Sequence, residues 1–264
     1  MAQDIVTGCA RIEDVDQLGP RAALFTLSLL DSSATGSPIA PTSAATGYVL
    51  NVLEALGVIE TEAHVTLGSP RATITANNWR YTWCLPIETL PALLEKKVRE
   101  TSHDSAHHTI WLCLWKDLIH AEAIAYLENQ LEWHGFTLDP IESLPVHPYS
   151  IHLYSLGQWR YAIWAAVRAM ASASLKHPGD RRLLQRTLNH QLQRRLTYAK
   201  FSPSEKLTFS PHYLQEESAL TRNFSTVATD LREQFWKVPP TLRELAIGST
   251  SASKTNQQSP GDAP

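Results

Sequence analysis

Several things are missing from this chain, and each absence narrows what it is. No stretch approaches the ~18 consecutive apolar residues of a membrane span; even the most apolar one, residues 161–175, is interrupted by Arg168. The opening MAQDIVTGCARIEDVDQ has neither the basic flank nor the apolar core of a secretion signal. Cysteine is scarce. Cys9, Cys84 and Cys113 form an odd set without metal-type spacing, as expected in a reducing compartment, so the cytoplasm is the expected location. The nucleophile-elbow GxSxG, the phosphate-binding GxxxxGK[ST] and the dinucleotide GxGxxG are all absent. Hydrolase, NTPase and dinucleotide readings therefore lose their usual support. Glu128 and Glu132 lie four apart, as many solvated Glu pairs do. Recognition is expected here rather than catalysis, with no small-molecule cofactor and no membrane indicated.

Positive charge is scarce in one half only. Residues 1–150 hold 8 Lys or Arg against 18 Asp or Glu, a net of −10, whereas residues 151–264 hold 15 against 8, a net of +7. The overall charge of −3 conceals this split. Charge sorted between halves points to an anionic partner for the basic one. What the chain does have is 43% hydrophobic residues, eight Trp and 16 Pro over 264 residues, enough for one large or two small domains with real cores.

The most informative stretch is Thr42 to Leu85. Val49, Val52, Leu53 and Leu56 recur at i, i+3, i+4 and i+7, one apolar face of a helix. Thr42 or Ser43 supplies its cap, and Gly57 suits the left-handed position past its end. Val58 and Ile59 begin extended chain. Strands are expected at 64–67, at 71–76 and at 79–85, the last two joined at Asn77-Asn78, because Asn tolerates the positive φ of a tight hairpin turn. Upstream, Pro20 to Leu30 reads as a helix with Pro in its first turn and Leu24, Leu27 and Leu30 facing the core.

Helix, helix and hairpin in this order resemble winged-helix (helix-turn-helix-like) proteins over residues 18–100. The resemblance implies a recognition helix at Thr42–Gly57 and a wing at 71–85. On the helix, Ser43, Thr46 and Asn51 would face bases; on the wing, Arg71 and Arg80 would reach the backbone. It also implies a short helix where this chain has DSSATGSPIAP, a run with little room for one. Many winged helices dock protein instead of DNA. The recognition helix itself has no Lys or Arg and two Glu between residues 42 and 60. Phosphate repulsion thus opposes its entry into a groove, and a protein partner or a second copy of the chain is the alternative occupant.

The second half reads as helical. Trp115, Leu118, Ile119, Glu122, Tyr126 and Leu127 keep helical spacing up to Gly135, and residues 139–150 form a Pro-rich connector that, with His147 and His152, signals nothing specific. Ser155 or Gly157 opens GQWRYAIWAAVRAMASASL, which is apolar nearly all round and stops at His177-Pro178-Gly179. It resembles helices from the helical domains of bacterial mobile-element proteins. Trp159, Ile163 and Trp164 are expected core anchors, with Arg168 paired to Glu122 or Glu128. A last helical stretch is expected over 216–236.

Between them, Asp180 caps a helix to about Ala199, with Leu184, Leu188, Leu192 and Leu196 as its apolar stripe. Arg182, Arg186, Asn189 and Gln193 gather opposite that stripe, joined by Arg194 and Arg195; Arg neutralises phosphates, and Arg, Asn and Gln pair with base edges. The competing reading is a solvated face, or one docked on acidic protein. His103 and His107, at i and i+4, have the spacing of a two-His zinc pair but neither an HExxH Glu nor a nearby Cys, so a solvated loop is expected and no metal.

The chain is thus expected to be mainly α with a small β-hairpin. The expected divisions are an N-terminal extension (1–17), a winged-helix-like domain (18–100), a linker (101–112), an all-α domain (113–247) and a disordered tail (248–264). The function expected is DNA binding in a bacterial or mobile-element system, as a regulator or in replication or maintenance. The alternative is an adaptor or assembly subunit of a mobile-element or defence complex.

Overall fold

The computed structural model describes residues 14–61, 79–82, 88–136, 153–201 and 217–245. Among the described residues the chain is mainly α-helical, with one two-stranded antiparallel pair. No described helix is long and apolar enough to cross a membrane. Two compact units emerge: one holds the described residues up to Ile110 together with Glu217–Ala228, the other the described residues from Trp111 to Phe201 and from Thr229 to Leu245.

In the first unit, α1 (Pro20–Thr35) is the central element, buried at every position from Ala22 to Leu30. It extends beyond the expected Leu30 and ends at Gly36, whose φ of 76° is left-handed. Thr26 and Ser28 are tolerated inside because their hydroxyls donate to the carbonyls of Ala22 and Leu24. Helix α2 (Ser43–Ala55) starts where Thr42 accepts from the Ala45 amide, 3.1 Å away, and Gly57 is left-handed. Its buried face is Thr46, Val49, Leu50 and Leu53, and Leu56 is exposed. The inward stripe is therefore set back from the expected one.

Strand β1 (Ile59–Thr61) pairs with β2 (Trp79–Tyr81) in the register Ile59↔Tyr81, Glu60↔Arg80, Thr61↔Trp79. The expected strands at 64–67 and 71–76 and the Asn77-Asn78 turn lie outside the described residues. Helix α3 (Leu90–His103) follows, burying Leu90, Leu94 and Val98 at i, i+4 and i+8 and packing on α1; the sequence pattern had not singled it out.

The α1–α2 connection, where the winged-helix resemblance implies a short helix, is not helical. Its backbone is engaged elsewhere: the amides of Ala219 and Leu220 donate to the carbonyls of Pro38 and Ile39 at 2.8 and 2.9 Å. The segment that supplies them is α7 (Ala219–Asn223), capped by Ser218. Arg222 then grips Asp31 at 2.8 Å and Ser37 at 3.1 Å, and Asn223 donates to the same Asp31 oxygen. The expected long helix over 216–236 does not continue. A π-helical turn, Phe224–Ala228, follows α7, and Asp230 and Arg232 adopt φ of 50° and 47°. Ser225 and Thr226 both donate to the Arg222 carbonyl, competing with the regular helical ladder.

The second unit contains α4 (His108–Trp133) from Trp111 onward, α5 (Leu156–Lys176), α6 (Arg181–Phe201) and α8 (Gln234–Lys237). A reciprocal Ser155–Gln158 capping box opens α5. Trp111, Trp115, Trp159, Ile163, Met170 and Phe235 are among this unit's large buried side chains. Trp164 is only half-buried and carries the Arg168 guanidinium 4.7 Å above its ring. The carboxylate expected for Arg168 goes to Arg160 instead: it meets Glu122 at 3.1 Å, the two side chains being 4% and 2% exposed. Arg160 also lies 4.6 Å from the Trp236 ring centre and 5.3 Å from that of Tyr126. Burial pushes the Tyr126 phenol above its ordinary pKa, and Arg160 partly opposes this.

Replacing Arg160 by Ala takes the guanidinium away from a buried carboxylate and should cost about 3–5 kcal/mol. Urea unfolding followed by helical circular dichroism measures it; the double replacement Arg160→Met with Glu122→Leu should recover most of the loss. Asp31→Ala, which deprives Arg222 and Asn223 of their acceptor, should cost about 1–3 kcal/mol by the same measurement.

Candidate nucleic-acid interface

Helix α6 begins where the Asp180 side chain accepts from the Leu183 amide at 3.0 Å, just past left-handed Gly179. Leu184, Leu188, Leu192 and Leu196 are all buried, as the stripe requires, and α6 packs principally on α5. That anchoring decides which polar side chains reach solvent. Arg182, Arg186, Gln193 and Arg194 are exposed, and so is Arg181. Asn189 is half-buried and accepts from the Gln185 amide at 3.0 Å, so its pairing capacity is partly used within the helix. Arg195 is half-buried too. At about 100° per residue it falls beside Leu184, on the stripe side of the helix.

The electrostatics of this hairpin are one-sided. Residues 156–201 contain nine Lys or Arg and a single carboxylate, Asp180, which is occupied as the α6 cap. Arg160 is buried against Glu122 and Arg168 rests on Trp164. Arg181, Arg182, Arg186 and Arg194 have no acidic partner among the described residues. Such a face lowers the local potential energy of an anion and costs nothing to unpair before binding.

The α2 face is different in kind. Ser43 and Asn51 are exposed, but Thr46 is only 9% exposed and faces the core, so it is not placed to touch a base. The helix is inserted by way of Thr46, Val49, Leu50 and Leu53, which leaves Ser43, Ala44, Tyr48, Asn51 and Ala55 outward. No Lys or Arg lies on α2 itself. Arg21 of α1 reaches the Tyr48 hydroxyl at 3.2 Å, bringing a cation to this face that helix-by-helix reading overlooks. Tyr48 also meets Phe25 edge to face, with ring centres 6.1 Å apart.

On the strands, Arg80 is 77% exposed but tied to Glu60 directly across the pair, with Nε 2.9 Å from the carboxylate. Its charge is therefore largely matched locally. Arg71 lies outside the described residues. The neighbouring Tyr81 phenol is pushed above its ordinary range by burial.

The histidine cluster does not form the i, i+4 pair its spacing allows. Helix α3 ends at His103, Asp104 turns extended at ψ 116°, and a short turn over Ser105–His107 precedes α4. Asp104 accepts from the Ala106 amide at 2.9 Å and lies 3.1 Å from His107 Nδ1; the amide first, then His107, hold its carboxyl below the ordinary range. Among the described residues no group of three His, Cys, Asp or Glu is placed to hold a metal. One residue on α6 escaped notice in the sequence: His190, exposed and four residues from both Arg186 and Arg194. Its signal in the sequence is the i, i+4 spacing from Arg186 and to Arg194. No protein-family model, curated protein or solved structure matches this chain.

Proposed function

We propose that this protein binds DNA through the solvent face of α6, by neutralising phosphates and without chemistry on the ligand. The observation that carries the reading is the α5–α6 hairpin: nine cations to one occupied carboxylate, with four exposed arginines lacking an acidic partner among the described residues. Sequence readout by α6 is a minor part of it. Asn189 is partly engaged by Gln185, which leaves exposed Gln193 as the side chain suited to a base edge.

The first unit enters this reading as a winged-helix-like platform, made of α1, α2, the β1–β2 pair and the α3 that follows. A second role is favoured for it by the make-up of α2. Its outward face has no cation of its own and exposes Tyr48 at 51% and Leu56 at 41%, which suits a protein partner or a second copy better than a phosphate backbone. The chain then joins a nucleic-acid contact on one unit to a protein contact on the other, as an adaptor or assembly subunit does.

An electrophoretic shift with labelled duplex DNA at low salt tests the α6 contact. The paired variant Arg182→Glu with Arg186→Glu should weaken binding by at least about tenfold, because two phosphate contacts become repulsions. Unchanged affinity would remove α6 from the interface. Asn51→Arg, by contrast, should leave the shift unaltered if α2 meets protein.

A further inference from the structure

Arg182, Arg186, His190 and Arg194 stand at i, i+4, i+8 and i+12 on α6, and all four are exposed. Successive members are separated by about 6 Å of helix rise, so the row is about 18 Å long. It is a ridge of the kind that i, i+4 spacing always makes on a helix. Three of its members carry a permanent charge. The fourth, in the interior of the row, is an imidazole with no hydrogen-bond or ion-pair partner among the described residues.

Resting on the reading of α6 as a DNA contact, we infer that His190 is a phosphate-contacting residue and that the row binds one run of phosphates, taking up a proton at His190 as it does so. Imidazole is the side chain whose charge changes between about pH 5 and 8. An anion brought close to it favours the protonated form. Among the described residues of α5 and α6 no carboxylate competes with the incoming phosphate for that role. On its own helix the flanking charges are Arg186 and Arg194, with Arg182 and Arg195 further off, and α6 has no Asp or Glu. Helix α5, packed on the leucine stripe, offers Arg160, Arg168 and Lys176 and likewise no carboxylate. Asp180, in the turn, caps Leu183. A phosphate aligned between Arg186 and Arg194 supplies the negative charge that favours the protonated imidazole. The ligand class follows from the same geometry: a phosphodiester backbone contacted without regard to base sequence.

Fluorescence anisotropy of the full chain with a labelled duplex of about 20 base pairs, titrated at several pH values and salt concentrations, tests this. Affinity should rise by about tenfold between about pH 8 and pH 5.5, and the salt slope should steepen by about 0.9 as the extra contact forms. His190→Gln should flatten the His-dependent part of the pH profile, and His190→Lys should bind tightly across the whole range. A His190→Gln profile as steep as the wild type would overturn the inference while leaving the α6 contact standing. Absence of binding by the wild type at low pH and low salt would instead overturn both.

Discussion

The second unit depends on one interaction, the buried contact of Arg160 with Glu122. A guanidinium and a carboxylate are each costly to remove from water, and the site repays that through a 3.1 Å charge-assisted hydrogen bond and two aromatic faces, Trp236 and Tyr126. Helix α4 supplies the carboxylate and Tyr126, α5 the arginine, and α8 the Trp. Three elements distant in sequence are fixed in one register by groups that lose heavily if any is missing. Helix α5, so held, is the surface on which the leucine stripe of α6 packs. That stripe turns the arginine row outward.

The first unit has a comparable constraint at Asp31. A segment beginning at Ser218 returns to α1, places its amides on the Pro38 and Ile39 carbonyls, and closes Arg222 and Asn223 on the Asp31 carboxylate. The extended α1–α2 connection is thereby stabilised as it stands. A helix there would take up within itself carbonyls that α7 uses. The departure from the winged-helix pattern thus has a physical cause, since the connection's hydrogen-bonding partners come from far along the chain.

Local signals were legible in the sequence and long-range ones were not. The Asp180 cap, the leucine stripe of α6, the Thr42 cap and the stops at Gly57, Gly135 and Gly179 all follow from residues within a few positions of one another. The inward face of α2 departs from the hydrophobic pattern because Leu56 sits at the helix end, where left-handed Gly57 redirects the chain and Val58 and Ile59 are buried instead. Arg168 was given the carboxylate that belongs to Arg160, because two arginines on one apolar helix differ only in which faces a partner on another element. The break after α7 comes with a π-helical turn and positive φ at Asp230 and Arg232, backbone features invisible to hydrophobic periodicity. The arginine row on α6 was readable, and so were the place of His190 in it and that of Arg195 beside the leucine stripe; the structure adds that His190 is exposed and Arg195 half-buried.

The central claim is that α6 meets DNA by exchanging bound counterions for exposed arginines. The salt dependence of the wild-type affinity tests this most directly. With three to four phosphate contacts, the logarithm of the binding constant should fall against the logarithm of salt concentration with a slope of about −2.7 to −3.6. A slope near zero, or no binding at low salt, would contradict it.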